Sequence, residues 1–171
     1  LLLTLLWGIL SPAQTKAAEQ AYRFGMSTAL SGPASQLGNG IHQGFSTAFA
    51  QANRNGGVHG RSLFIDALDD RYNPHLTSTN MNQLLENPDI LAIVGNLGTP
   101  TAVVSLLSIE RYKALFYAPF TGAGLLREQP QNPYIINLRP SYRQEIFAMI
   151  DALIDIGGLK PEEIGFFTQR D

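Results

Sequence analysis

The chain has 171 residues, 12 Lys and Arg against 14 Asp and Glu, a formal net charge of −2 and no cysteine. That length supports one domain with a sizeable core, and the lack of a basic stripe argues against nucleic acid, whose phosphates demand clustered Lys and Arg. Without cysteine, thiol catalysis, disulfides, zinc–thiolate sites and a lipid-modified N-terminal Cys within these residues are excluded.

Leu1 to Leu10 is almost wholly apolar, and no charge precedes Lys16. The small residues Ser11-Pro12-Ala13 and Ala17-Ala18 follow. This is the form of a secretory signal, an apolar stretch and then a small-x-small cleavage zone, and it predicts a partial signal peptide over 1–18. Cleavage after Ala13 or near Ala17–Ala18 fits equally. The rival reading is a membrane anchor, although a run this short cannot itself span a bilayer. A start at Leu1 and a stop at Asp171 in mid-pattern read as a truncated chain.

From Ala21 onward strands and helices alternate. Ala21–Ser27 reads as a first strand, and Leu30–Leu37 as a loop built on Ser31-Gly32-Pro33. A helical pattern with Ile41, Phe45, Ala48, Phe49 and Ala52 on one face follows, stopped by Asn55-Gly56-Gly57. Arg61–Asp69 alternates as a second strand. Asn73-Pro74 opens a second helix bearing Leu76, Met81, Leu84 and Leu85, and Asn87-Pro88 ends it.

Ile90–Val94 is a third strand, and a third helix runs over Pro100–Tyr112. Threonine is a good N-cap and proline suits the first helical position, so Thr99 is expected to cap this helix. Leu115–Ala118 is a fourth strand, Pro119–Pro133 a long loop, and Tyr134–Leu138 a short strand-like piece. Ser141 with Gln144 makes a capping box for a helix through Ile154, Gly157-Gly158 closes it, and Glu163–Thr168 starts another strand.

The alternation predicts an α/β fold, a doubly wound parallel sheet with right-handed crossovers and helices on both faces. Ligands of such sheets bind beyond the carboxyl ends of the strands. The loops at that edge are Leu30–Gly38, Asp69–Asn73, Gly95–Thr99 and Pro119–Gly124. The change of composition around Gln129–Pro133 marks a boundary or crossing point.

Few residues there carry a recognisable chemistry. Gly38-Asn-Gly40-Ile-His-Gln-Gly44 approaches a dinucleotide fingerprint, but its third glycine is one residue late. His42, His59 and His75 lack the i, i+4 spacing of a metal pair and read as surface residues. Asp69-Asp70 could ligate a cation, contact a ligand, or cap or orient the Arg71–Pro74 turn. No nucleophile sits beside a readable base, so no enzyme, cofactor or metal is indicated.

The strand-end glycine turn before Thr99 is the strongest candidate. A helix N-terminus there offers free N–H groups and partial positive charge, a site for a small anion such as a carboxylate. Thr99, Thr101 and Thr121 supply hydroxyls, and Gly98, Gly122 and Gly124 leave backbone open. Such neutral donors suit a small polar or zwitterionic molecule. The plain alternative is ordinary turn chemistry.

In order, Thr28-Ala-Leu-Ser-Gly-Pro-Ala-Ser-Gln-Leu-Gly38, Ala52-Asn-Arg-Asn-Gly-Gly-Val-His-Gly60, Asp69-Asp70 with Asn73-Pro74, Ile93-Val-Gly95, Pro119 and Asn137-Leu-Arg139 form a fairly specific series. Over Tyr22 to Asp171 the chain resembles the Leu/Ile/Val-type periplasmic binding proteins of bacterial ABC importers. The resemblance implies the type I periplasmic-binding-protein fold, two lobes closing on a ligand. The first lobe would occupy 21–137, and 138–171 would begin the second. It also implies that Gly98 and Thr99 hold a ligand α-carboxylate, and that Phe120, Thr121 and Gly122 meet its amino and carboxylate groups. Leu37 falls where the amino-acid binders carry an aromatic contact. Aliphatic Leu37, and Phe120-Thr121-Gly122 in place of a small residue followed by Ser or Thr, depart from the branched-chain pattern.

The expectation is therefore a periplasmic solute-binding protein that captures an amino acid or similar small carboxylate without chemistry. Its partner would be the membrane permease of an ABC importer. The rival is an extracytoplasmic sensor domain of a signalling receptor. A third reading, an enzyme on a Rossmann-like sheet, has no residue in its favour.

Overall fold

The computed structural model describes residues 21–167. The expected signal segment lies outside these residues. Five strands form one parallel sheet: β1 (Tyr22–Thr28), β2 (Leu63–Asp69), β3 (Ile90–Val94), β4 (Leu115–Tyr117) and β5 (Ile135–Ile136). Their order across the sheet is β2-β1-β3-β4-β5. The connecting helices are α1 (Ser35–Arg54), α2 (Pro74–Leu85) and α3 (Thr99–Tyr112), and α4 (Tyr142–Asp155) follows β5. This is the doubly wound parallel sheet expected. Among the described residues no helix is long and apolar enough to cross a membrane.

Side-chain alternation divides the sheet into two faces. Phe24 packs on Phe49 of α1, with ring centroids 5.1 Å apart. On the other face α2 and α3 cover Ile93, Phe116 and Ile135 with Met81, Leu84, Ala102 and Ile109, and these make the buried core. The chain leaves β1 toward β2 on one side and passes to β3 on the other. The topological switch point therefore lies between the carboxyl ends of β1 and β3, where such folds bind ligands. Ser27 N–H donates to the buried Asn96 Oδ1 across that junction, at 3.1 Å.

Several boundaries differ from expectation. Helix α1 starts at Ser35, so Leu37 stands in its first turn rather than in a loop. The Gly32 turn (φ 80) reverses the chain early, and Ser35 N–H already bonds Gly32 O at 3.1 Å. β2 begins at Leu63, because Arg61 pairs with Val58 in a separate bridge. The Pro119–Pro133 loop contains a 3-10 turn, Gly124–Arg127, that buries Leu126. The strand expected over Glu163–Thr168 does not form within the described residues. Pro161–Glu163 is a 3-10 turn, and Ile164–Phe167 has no neighbouring strand to supply a ladder. Thr168 itself is not among the described residues. The Ser141–Gln144 capping box forms as read, with Gln144 N–H donating to Ser141 Oγ at 3.2 Å.

The spaced glycines of α1 have a packing role. A β-carbon on Gly38 would fall 2.0 Å from Ala29 O, whereas Gly40 has nothing within 4 Å. Gly38 lets the first turn of α1 press on the end of β1. Gly38→Ala is expected to destabilise the protein by about 3 kcal/mol, since rigid backbone must move. Gly40→Ala is expected to stabilise it by about 0.5–1 kcal/mol, by removing a helical glycine. Urea unfolding of the two variants checks both signs.

Candidate functional site

Beyond Val94 the third strand continues as Asn96-Leu97-Gly98, alongside Pro119-Phe120 after β4. Phe120 N–H donates to Asn96 O at 2.8 Å and Gly98 N–H to Phe120 O at 3.3 Å. Gly98 then turns with φ 94 and ψ 163, a conformation that favours glycine, and serves as the N-cap of α3. Thr99 is thus the first helical residue rather than the cap, and its side chain makes no cap bond. Its hydroxyl is drawn instead to Thr121, with Oγ1 to Oγ1 at 2.7 Å. Thr101, expected at the open edge, is turned into the helix and donates to Gly98 O at 3.0 Å.

Thr121 is fully buried and central. Its Oγ1 accepts the Ala123 N–H at 3.2 Å and lies 3.1 Å from the Tyr142 hydroxyl. Tyr142 N–H in turn donates to Gly122 O at 2.8 Å. The result is a hydroxyl chain, Thr99–Thr121–Tyr142, beside the N-terminus of α3. The leading N–H groups of a helix have no partner within it, and Pro100 contributes none. Donors and positive dipole converge beside Thr99, an arrangement that suits a carboxylate.

Two aromatic residues that sequence reading missed frame this spot. Tyr72 lies on Gly98: a β-carbon there would sit 2.2 Å from Tyr72 Cε2. Tyr142 lies on Gly122 in the same way, 2.6 Å from where a β-carbon would fall. Neither carries a periodic or motif signal, since one follows an acidic pair and the other a capping serine. Arg139 joins them from the chain after β5. Its guanidinium is 5.0 Å from the Phe120 ring and 5.3 Å from that of Tyr142, and it pairs with Glu145 at 2.7 and 2.9 Å. Leu37 stands exposed on α1 at the same edge, outside the hydrogen-bonded cluster.

Asp69 and Asp70 orient the turn that delivers Tyr72. Asp69 accepts from Leu30 N, Ser31 N, Ser31 Oγ and Arg71 N. Asp70, fully buried, accepts from Ser27 Oγ, Thr77 Oγ1 and Tyr72 N at 2.9, 3.0 and 2.9 Å. Of the readings open for this pair, turn-holding is what the geometry displays.

Burial opposes the charge of Asp69, yet the donors from Ser31, Arg71 and Leu30 outweigh it and hold its carboxyl below the usual value. Burial pushes Asp70 up, and the bonds from Tyr72, Ser27 and Thr77 offset only part of that. Burial likewise raises Tyr72, aided by Tyr142 and Asp70. For Tyr142 burial is outweighed by bonds from Thr121, Thr99 and the Gly122 backbone and by Arg139, which hold the phenol below its ordinary value.

A concavity of about 580 Å³ lies elsewhere, between the second half of α3 and residues 125–135. It opens at the amino-end edge of the sheet, and the hydroxyl chain has no part in it.

The family model described as periplasmic binding protein matches residues 21–170. The chain belongs to the periplasmic binding protein family. Among solved structures, this family member is similar to one described as a possible leucine/isoleucine/valine-binding protein from Rhodopirellula baltica SH 1. The two are 45% identical with a TM-score of 0.81, over 92% of this chain and 42% of that one. A substrate-binding periplasmic protein from Ralstonia solanacearum is 26% identical with a TM-score of 0.72, over 79% and 38% of the two chains. A fatty acid ABC transporter substrate-binding protein from Thermomonospora curvata is 25% identical with a TM-score of 0.73, over 83% and 35%. The chain thus spans less than half the length of these relatives. No curated protein matches it.

The opposed shifts of the acidic pair give a test. The folded value of Asp69 lies below its unfolded one, so its stabilisation is present above the unfolded value and lost as pH falls through the folded one. The folded value of Asp70 lies above its unfolded one, so its share of stability rises as pH falls through that window. Between about pH 6 and 3, Asp69→Asn is expected to flatten the acid loss of stability and Asp70→Asn to steepen it. Urea midpoints measured against pH report both slopes.

Proposed function

We propose that this chain carries the first lobe, to about Asn137, and the start of the second lobe of an exported solute-binding protein. The whole protein would capture a small carboxylate in the periplasm and deliver it to the membrane permease of an ABC importer, with no chemical step. Family membership supports the extracytoplasmic setting, and the apolar start with its small-residue zone supports export through a signal peptide over 1–18.

The observation that carries the ligand class is the Thr99–Thr121 hydroxyl pair at the α3 N-terminus, 2.7 Å apart. Gly98, Thr99 and Thr121 would hold the carboxylate, with Phe120, Gly122 and Leu37 against the rest of the ligand. Leucine/isoleucine/valine and fatty acid, the ligands for which two relatives are described, share an aliphatic body and, as their one polar group in common, a carboxylate. That polar group matches donors rather than any side-chain pocket. Closure would follow from contacts to both lobes, which favour the closed population only as far as the ligand binds it better.

In the full-length protein, Thr99→Val and Thr121→Val are each expected to weaken the bound carboxylate by about 1–3 kcal/mol, because a buried oxygen loses its donor. Calorimetric titration with a panel of amino acids and simple carboxylates measures this. Unchanged affinity in both variants for every ligand that binds overturns the carboxylate site.

A further inference from the structure

Beyond Asn137 the chain leaves the sheet for α4, and no residue of α4 is buried. Packing against the sheet therefore does not set the direction of this helix. Among the described residues, hydrogen bonds do. Tyr142 N–H donates to Gly122 O at 2.8 Å, and the Tyr142 hydroxyl lies 3.1 Å from Thr121 Oγ1. The other links come from Arg127, the last residue of the Gly124–Arg127 turn.

That turn stands on a firm base. Leu126 is buried in the core, and Asn137 Nδ2 donates to Leu126 O at 2.9 Å. From there the Arg127 guanidinium makes four hydrogen bonds, all to main-chain oxygens. Nη1 donates to Ala123 O at 2.9 Å and Nη2 to Thr121 O at 3.4 Å. Nη2 also donates to Arg139 O at 2.6 Å and to Pro140 O at 3.5 Å. One side chain thus grips both the segment that follows β4 and the segment that follows β5. Strand pairing between those segments stops with the bond from Ala118 N–H to Ile136 O, at 2.8 Å. Past that point Arg127 spans the gap until Tyr142 reaches Gly122. A planar fork with several fixed donors suits this task, whereas a lysine ammonium is a single point.

We propose that Arg127 is a positioning residue for the hydroxyl chain: it staples Arg139–Pro140 to Thr121–Ala123 and thereby holds Tyr142 against Thr121. Its bonds reach the Thr121 backbone and none of the three hydroxyls. This rests on the site reading above and adds the residue that keeps its third hydroxyl in place.

Amide hydrogen exchange of the full-length protein, read residue by residue, tests this without a ligand. Tyr142 is the first residue of α4, so its N–H has no acceptor within the helix, and its bond to Gly122 O is what protects it. Arg127→Met keeps an apolar stem and removes the donors. It is expected to speed exchange at Tyr142 by about tenfold or more, as loss of a charge-assisted bond implies. The amides of Gly95 and Ala118, bonded to Tyr117 O and Ile136 O within the sheet, should keep their wild-type rates. Arg143→Met removes a guanidinium that lies over Phe147 on α4, and it should leave Tyr142 unchanged. An unmoved Tyr142 rate in Arg127→Met overturns the inference. Equal acceleration at Gly95 and Ala118 also overturns it, because Arg127 then supports the whole lobe rather than the joint. So does equal acceleration at Tyr142 in Arg143→Met. The carboxylate reading is judged separately, by the affinities of Thr99→Val and Thr121→Val, and survives any of these results.

Discussion

The carboxylate of Asp70 is buried at the end of β2 and satisfied by three donors from three places: Ser27 on β1, Thr77 on α2 and the backbone of Tyr72. An acid so buried is tolerable only because those donors replace water, and removal of any one leaves a costly orphan. Asn80 of α2 extends the same network by donating to Ser27 Oγ and Asp69 O. Strand end, helix start and turn are thereby tied to one point, and the wall that carries the site inherits its shape from that knot.

The second constraint is steric. Gly98 and Gly122 accept a ring where any side chain would collide, and this brings Tyr72 and Tyr142 against the segments that follow β3 and β4. The hydroxyls of Thr99, Thr121 and Tyr142 then bond to one another. At the carboxylate site proposed above, an incoming oxygen would exchange these bonds for charge-assisted ones, which are stronger. Arg127 reinforces the far side by donating to Ala123 O at 2.9 Å and Arg139 O at 2.6 Å, which fixes the chain leaving β5 to the site.

Much of this architecture was legible in the sequence. The β3 run Ile90–Val94, the Asn73-Pro74 helix start and the Ser141–Gln144 capping box are local signals, and the structure reproduces them. Thr99 stood out in the sequence as a candidate, but not in the position the fold gives it. A threonine before a proline reads as a cap, yet Gly98 takes the cap and Thr121, distant in sequence, captures the threonine hydroxyl. Thr101 shows the same limit in reverse: its type suggested an open donor, and helix geometry turned it inward. The strand expected over Glu163–Thr168 has no partner strand among the described residues.

Hydrophobic period, turn residues and caps act within a few positions, so the sequence by itself determined the alternation of elements and the parallel sheet class. Contacts between distant segments decided the rest. The crossing of the chain at the β1–β3 switch point, the pairing of Thr99 with Thr121, the seating of Tyr72 and Tyr142 on glycines and the saturation of both aspartates depend on backbones meeting across the fold. No local pattern encodes those distances, because each is set by how helices and strands pack on one another rather than by the residues that flank the contact.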